Sequence, residues 1–261
     1  MNGHQIASGA RREADSFLAA VMFLTRIPVG SLPQFRADQL ARSAVYFPLI
    51  GMAVGAAGAL VVLAAQPFFP PLIAALLCML ATVLITGGLH EDGLSDAADG
   101  LMGGHDPARR LEIMKDSGVG TYGALALWFS LTAKLLLLHA LLGQSAWLAC
   151  GALVAAHTLG RGATVALLYA CPYARSEESK SKPFGDRVTL GPLLLALSLS
   201  IAVAVALLGA RAVACLAIAA VITWATGVYC RRKIGGITGD CLGAVNQLVE
   251  LACYLVLVSW L

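Results

Sequence analysis

Three aspartates at helical spacing could together hold a divalent cation. Residues 87–100 read Gly-Gly-Leu-His-Glu-Asp-Gly-Leu-Ser-Asp-Ala-Ala-Asp-Gly, in which Asp92, Asp96 and Asp99 stand at positions i, i+4 and i+7. At about 100° per residue, their side chains fall within roughly 60° of one helical face. Like charges at this spacing destabilise a bare helix, whereas carboxylate oxygens are the ligands that Mg²⁺ prefers. The spacing therefore predicts a magnesium site, and the alternative is a solvated acidic helix.

A second aspartate motif repeats the first one. The pattern Gly-Gly-x-x-x-Asp-x-Leu-small occurs at residues 87–95 and again at residues 235–243, so that Asp92 corresponds to Asp240. Paired glycines allow the backbone to approach a ligand closely. The repeat predicts that both aspartates serve one site, and the alternative is chance similarity in a glycine-rich chain.

Composition indicates an integral membrane protein. Of the 261 residues, 59% are hydrophobic and 13% are charged, whereas soluble domains carry about 25% charged residues. The seven cysteines form no Cys-x-x-Cys pair, so no disulfide framework is predicted. Seven segments are long and apolar enough to span a membrane, at 44–66, 71–88, 119–142, 146–170, 190–208, 212–230 and 243–261.

These segments predict an all-α fold with one integral membrane domain over residues 1–261. It is a polytopic helix bundle of about seven transmembrane helices, with a cytoplasmic acidic helix at the aspartate motif. The shorter apolar stretch Ser16–Val29 is interrupted by Arg26 and Pro28, which predicts an N-terminal interfacial helix rather than a span.

Basic residues mark one side of this bundle as cytoplasmic. If seven spans alternate, one side receives 15 of the 18 lysines and arginines, in segments 1–43, 89–118, 171–189 and 231–242. The positive-inside rule assigns that side to the cytoplasm. Segment 89–118 itself carries seven carboxylates and three bases, and such a negative pocket suits a cation held between protein and anionic substrate.

Two charges lie inside predicted spans, where a charge is costly and is a functional candidate. Arg161 lies about 9 residues from the cytoplasmic end of its span, one turn after His157. It could bind a phosphate with both arms of its guanidinium, or pair with a lipid headgroup or Glu250. For Lys134, nearer the other end of its span, snorkelling to the membrane surface is the preferred interpretation. His90, beside the acidic motif, is a candidate base or substrate contact, and the alternative is a solvated or capping histidine.

Four segments resemble the cobalamin synthase family. These proteins are adenosylcobinamide-GDP ribazoletransferases, integral enzymes of the bacterial inner membrane. The similarity extends over nearly the whole chain, and the segments that carry it are Phe23–Val29, Gly87–Gly100, Glu112–Gly123 and Gly235–Gly243. The loop at 175–187 departs from the glycine-rich sequence usual in the family.

The resemblance implies a reaction and a set of site residues. Adenosylcobinamide-GDP and α-ribazole, or α-ribazole 5′-phosphate, would give adenosylcobalamin, or its 5′-phosphate, and GMP, with Mg²⁺ on the diphosphate. Asp99 or His90 would accept the hydroxyl proton. The implied metal ligands are Asp92, Asp96, Asp99 and Asp240. The implied substrate-binding residues are Glu91, Lys115, Arg161, Gly236 and Gly239. Membrane lipids are expected partners, a homo-oligomer is left open, and no nucleic acid is expected.

Two other functional classes fit the sequence less well. A CDP-alcohol phosphotransferase shares the cytoplasmic carboxylates and the release of a nucleoside monophosphate. It requires Asp-Gly-x-x-Ala-Arg, however, where this chain has Asp92-Gly-Leu-Ser-Asp-Ala97. A cation-coupled transporter would place carboxylates within the spans, and Glu250 is the only acid inside a predicted span.

Overall fold

Helices make up most of the structure. The computed structural model describes residues 3–29, 41–174 and 188–261, and in these ranges the chain forms ten α-helices and no strand. The helices are α1 (Gly3–Leu24), α2 (Phe47–Ala65), α3 (Pro71–Thr86), α4 (Leu89–Gly103), α5 (Pro107–Ile113), α6 (Thr121–Gln144), α7 (Ala146–Ala170), α8 (Leu190–Leu208), α9 (Arg211–Ile234) and α10 (Gly239–Val258). The predicted loop at 175–187 lies outside the described residues.

Six helices of the described chain are long and apolar enough to cross a membrane. They are α2, extended by the preceding turn to Ala41–Ala65, and α6 to α10. The protein is therefore a multi-pass membrane protein, and the prediction of an all-α polytopic bundle is confirmed.

The second predicted span differs from a straight membrane helix. Helix α3 has 16 residues, which corresponds to about 24 Å and is shorter than the roughly 30 Å hydrocarbon core. Only together with α4, from which it is bent by 85°, is it long enough to cross a membrane. The acidic motif thus forms a separate helix that leaves α3 at a sharp angle.

The N-terminal helix is displaced from its predicted position. It ends at Leu24, and residues 25–29 have no helical structure. The backbone N–H of Arg26 donates to the carbonyl of Ile85 at 2.7 Å, near the end of α3. The family-like segment at residues 23–29 therefore lies against the bend between α3 and α4.

Helix α7 lies at the centre of the bundle. In the 18-residue apolar stretch of this helix, 89% of the residues are buried. Gly51 and Gly55 of α2 face it directly, and a Cβ at Gly55 would lie 2.7 Å from the carbonyl oxygen of Leu153. Small residues spaced by four allow helix backbones to approach closely inside a membrane. This packing places Arg161, in the second half of α7, in the protein interior.

Left-handed glycines begin both copies of the aspartate motif. Gly87 (φ 67°) and Gly88 (φ 71°) directly follow the last residue of α3, and Gly235 (φ 77°) directly follows the last residue of α9. Glycine adopts this conformation without steric cost. In each copy, the next helix begins a few residues later and carries the aspartate in its first turns.

Helices α4 and α10 then meet through glycines. A Cβ added to Gly93 would lie 3.1 Å from Cα of Gly243 and 3.1 Å from the carbonyl oxygen of Asp240. The two helices therefore touch where their sequences carry Asp92 and Asp240.

Candidate active site

Asp92 and Asp240 line one cleft between the first turns of α4 and α10. We call this space, of about 200 Å³, the aspartate cleft. Asp92 is exposed and Asp240 is half-buried, and both residues line the cleft. The other walls include Phe23 and Leu24 of α1 and Thr164 of α7. The two copies of the motif thus contribute one aspartate each to a common space.

Hydrogen bonds at the start of α10 orient Asp240. The hydroxyl of Thr238 donates to Oδ2 of Asp240 at 3.0 Å and accepts the backbone N–H of Cys241 at 3.4 Å. The backbone N–H of Gly239 donates to the hydroxyl of Tyr173 at 3.1 Å. Tyr173 also lines the cleft. Sequence reasoning missed this tyrosine, because its only signal was its position just after a span.

The two predicted glycine contacts of the second motif lie in different surroundings. Gly239 is exposed and lines the aspartate cleft. Gly236 is buried, and a Cβ there would collide with the carbonyl oxygen of Pro172. This close approach allows residues 172–174 to bond with Ile237, whose carbonyl accepts the backbone N–H of Ala174 at 2.8 Å.

Asp99 borders a different space. Its carboxylate accepts the backbone N–H groups of Gly120 at 2.8 Å and Gly123 at 2.9 Å, at the start of α6. A carboxylate at a helix N-terminus also interacts favourably with the helix dipole. Asp99 and Asp116 line a second cleft of about 380 Å³.

The three aspartates of α4 are spread along the axis of the helix. Asp92 and Asp99 share a helical face, but seven residues place them about 10 Å apart along the axis. Asp96 lies between them and is half-buried, and Lys115 is exposed after α5. Within residues 3–29, 41–174 and 188–261, no three His, Cys, Asp or Glu side chains are grouped to hold a metal ion.

Behind the aspartate cleft, polar side chains from four helices form a buried chain of hydrogen bonds. Nε2 of Gln247 donates to Oε1 of Glu91 at 3.0 Å. Nζ of Lys134 donates to Oε1 of Gln247 at 2.5 Å and to Oε2 of Glu250 at 2.7 Å. Glu250 is 1% exposed, and its other oxygen accepts from Nη1 of Arg161. These contacts link α4, α6, α7 and α10.

The row of hydrogen-bonded side chains returns to α4 through His90. Nη2 of Arg161 lies 3.5 Å from Nδ1 of His90. We call the six side chains the buried ring; they are His90, Glu91, Lys134, Arg161, Gln247 and Glu250. They border a cavity of about 20 Å³, which is enough for about one water molecule. His157 lines the same cavity, with its Nδ1 3.0 Å from Oε1 of Glu250 and 2.7 Å from Nη1 of Arg161.

The buried ring bears on two interpretations that were made from the sequence. The prediction that Lys134 snorkels is wrong, because Lys134 is 6% exposed and bridges two side chains of α10. Of the alternatives for Arg161, the structure shows the ion pair with Glu250. Arg161 is 1% exposed, and its role on a phosphate stays a prediction.

The ring also bears on the protonation of His90. A guanidinium only donates hydrogen bonds, so Nδ1 of His90 is the acceptor in its contact with Arg161. A neutral His90 then carries its proton on Nε2 and acts there as a donor. The role of His90 as the proton acceptor stays a prediction.

Comparison with known proteins identifies the family. The family model described as Cobalamin-5-phosphate synthase matches residues 16–258. The chain belongs to this family. A cobalamin synthase relative from Shewanella amazonensis is 42% identical over 252 residues, which cover 95% of this chain and 96% of the relative. Another, from Ralstonia nicotianae, is 43% identical over 257 residues, which cover 96% and 98%. Both are named adenosylcobinamide-GDP ribazoletransferase.

The predicted membership in the cobalamin synthase family is thus confirmed over nearly the whole chain. No solved structure matches the chain.

Proposed function

We propose that the protein joins adenosylcobinamide-GDP to α-ribazole, or to α-ribazole 5′-phosphate, and releases GMP. Family membership and the names of the relatives support this reaction. The structural observation that carries it is the aspartate cleft, where the two glycine–aspartate motifs meet.

The proposed reaction is a substitution at phosphorus. A ribose hydroxyl oxygen of α-ribazole bonds to the phosphorus that carries the corrinoid's aminopropanol arm. The bond from that phosphorus to the GMP oxygen breaks, and the hydroxyl proton passes to a base. Such transfers depend mainly on positioning and on neutralising negative charge.

We propose Mg²⁺ as the cofactor, with Asp92 and Asp240 as its protein ligands. Mg²⁺ is commonly held by one or two carboxylates together with substrate phosphates, and the cleft offers two carboxylates from two helices. The bound ion would supply charge neutralisation to the diphosphate. Thr238 would keep Asp240 oriented through its hydrogen bond to Oδ2.

Asp99 fits a positioning role better than a shared ligand role. Both of its oxygens accept backbone N–H groups of the segment that begins α6. Asp116, which shortly precedes that segment, lines the second cleft together with Asp99. We therefore assign Asp99 to the placement of residues 116–123, while Asp96 remains a predicted ligand and Lys115 a predicted substrate contact.

We further propose that the protein lies in the bacterial inner membrane and that its aspartate cleft faces the cytoplasm. The concentration of 15 of the 18 basic residues in the segments on that side supports this orientation. GMP would then leave into the compartment that holds the nucleotide pool.

The decisive test is direct synthesis by the purified protein. In detergent with Mg²⁺, adenosylcobinamide-GDP and α-ribazole should yield cobalamin and GMP in equal amounts, and chelation of the metal should stop both. A parallel reaction with α-ribazole 5′-phosphate compares the two acceptors by kcat/KM. CDP-alcohols serve as the control for the phosphotransferase alternative. Release of CMP from them, without GMP from the corrinoid, would refute the proposal.

A further inference from the structure

The buried ring begins and ends on neighbouring residues of α4. Gln247 bonds to Glu91, and Arg161 contacts His90. These two residues directly precede Asp92 in the sequence. The ring thus ties the turn that carries Asp92 to helices α6, α7 and α10.

Local structure holds the start of α4 only weakly. Its N-cap residue is Gly88, which provides no side-chain cap, and a Cβ placed there would meet nothing within 4 Å. The preceding bend contains two left-handed glycines, and glycine is the residue with the widest choice of backbone conformations. The direction of α4 must therefore be fixed by tertiary contacts.

The charges of the ring are balanced. Glu91 and Glu250 oppose Lys134 and Arg161, and neutral His90 and Gln247 join them. An apolar cluster of the same shape would often be as stable as buried ion pairs, whose retention can serve to specify one arrangement. Hydrogen bonds with fixed partners define a position more narrowly than apolar contacts do.

We infer that the buried ring sets the position of Asp92 relative to Asp240, so that Lys134, Gln247 and Glu250 are positioning residues for the aspartate cleft. This inference rests on the proposed function of the cleft. None of these three residues lines the cleft as the structure defines it, so they act through His90 and Glu91. The mutation of residues that support metal ligands typically costs about 10–100-fold in metal affinity or activity.

An exchange of two ring residues tests the inference. Gln247→Glu places a second carboxylate against Glu91 and breaks their hydrogen bond. The double variant Glu91→Gln with Gln247→Glu restores the net charge, since the amide now donates from α4 to a carboxylate on α10 that still accepts from Lys134. The two substitutions together therefore rebuild the ring, with the amide now on α4 and the carboxylate on α10.

Two measurements are made on each variant. The first is amide hydrogen exchange of residues 88–93 in the metal-free protein, which reports on the start of α4 without turnover. The second is the Mg²⁺ concentration that gives half of the maximal rate of GMP release. Gln247→Glu should speed exchange in this segment and raise the Mg²⁺ requirement about tenfold, and the double variant should return both values toward those of the wild type.

Several results would overturn the inference. Unchanged exchange and Mg²⁺ requirement in Gln247→Glu would show that the ring does not hold α4. Restored amide exchange without a restored Mg²⁺ requirement in the double variant would also overturn it, because Glu91 would then contact substrate or metal itself instead of positioning Asp92. If Gln247→Glu does not fold, Glu91→Gln replaces it, with the same two effects expected in weaker form. Absence of GMP release in the wild type refutes the proposed function, whereas the exchange data still test the ring.

Discussion

Removal of Glu250 should strongly destabilise the protein, because two buried cations depend on it. Glu250 is 1% exposed, and it pairs with Lys134 through one oxygen and with Arg161 through the other. In Glu250→Gln the ring keeps one negative charge against two positive ones. Breaking a buried pair costs about 3–5 kcal/mol. At roughly 2–4 °C per kcal/mol for a chain of this size, the unfolding midpoint should fall by about 6–20 °C.

A double-mutant cycle with Arg161→Met separates this effect from lost packing. Without both Arg161 and Glu250, the ring retains Glu91 and Lys134 and is again balanced. The double variant should therefore recover much of the loss, with a coupling energy of about 2 kcal/mol. The assay is thermal unfolding in detergent. Glu112→Gln is the control, because Glu112 pairs with Arg109 at 2.7 Å on the surface, where ion pairs contribute little. Simple additivity of the two ring substitutions would show that Arg161 and Glu250 do not stabilise the protein as a pair.

Three further predictions concern the cleft, the guanidinium and the topology. Gly93→Ala should lower kcat/KM, because the new Cβ would lie 3.1 Å from the backbone of α10. The control is Gly191→Ala, because a Cβ there has open space around it. Equal activity of the two variants would contradict the prediction. Arg161→Lys should lower the unfolding midpoint and the rate together, since one ammonium group cannot reach both Glu250 and His90; a rate defect at unchanged stability would instead indicate direct contact with substrate. All seven native cysteines are buried, so they should react little with an impermeant thiol reagent. In intact cells this reagent should label Gln66→Cys and spare Ser117→Cys, both of which lie at exposed positions. The reverse labelling pattern would invert the proposed orientation.

Sequence patterns predicted the helices and the repeat because both depend on short-range periodicity. Apolar length located the spans, and the glycine pairs marked where α3 and α9 end. The repeat placed Asp92 and Asp240 at equivalent points of two helices, and the structure brings these points together at Gly93 and Gly243.

Contacts between distant segments escaped the same reasoning. Helical spacing put Asp92 and Asp99 on one face, but it does not say which neighbouring element each side chain meets; Asp99 meets the amides of Gly120 and Gly123. Lys134 resembled a snorkelling lysine because its partners, Gln247 and Glu250, lie more than 100 residues away in the chain. Only the packing of α6 against α10 joins them.

We propose that Asp92 and Asp240 act as one unit in the transfer that releases GMP. The most direct measurement is the initial rate of GMP release at saturating Mg²⁺ for Asp92→Asn, Asp240→Asn and the double variant, each checked for unchanged thermal unfolding. Each single change should lower the rate about a hundredfold or more, because metal-based charge stabilisation is worth several kcal/mol. The double variant should be no slower than the worse single variant, since residues that act as a unit are not additive. Near-normal rates in either single variant, or losses that multiply in the double variant, would contradict the claim.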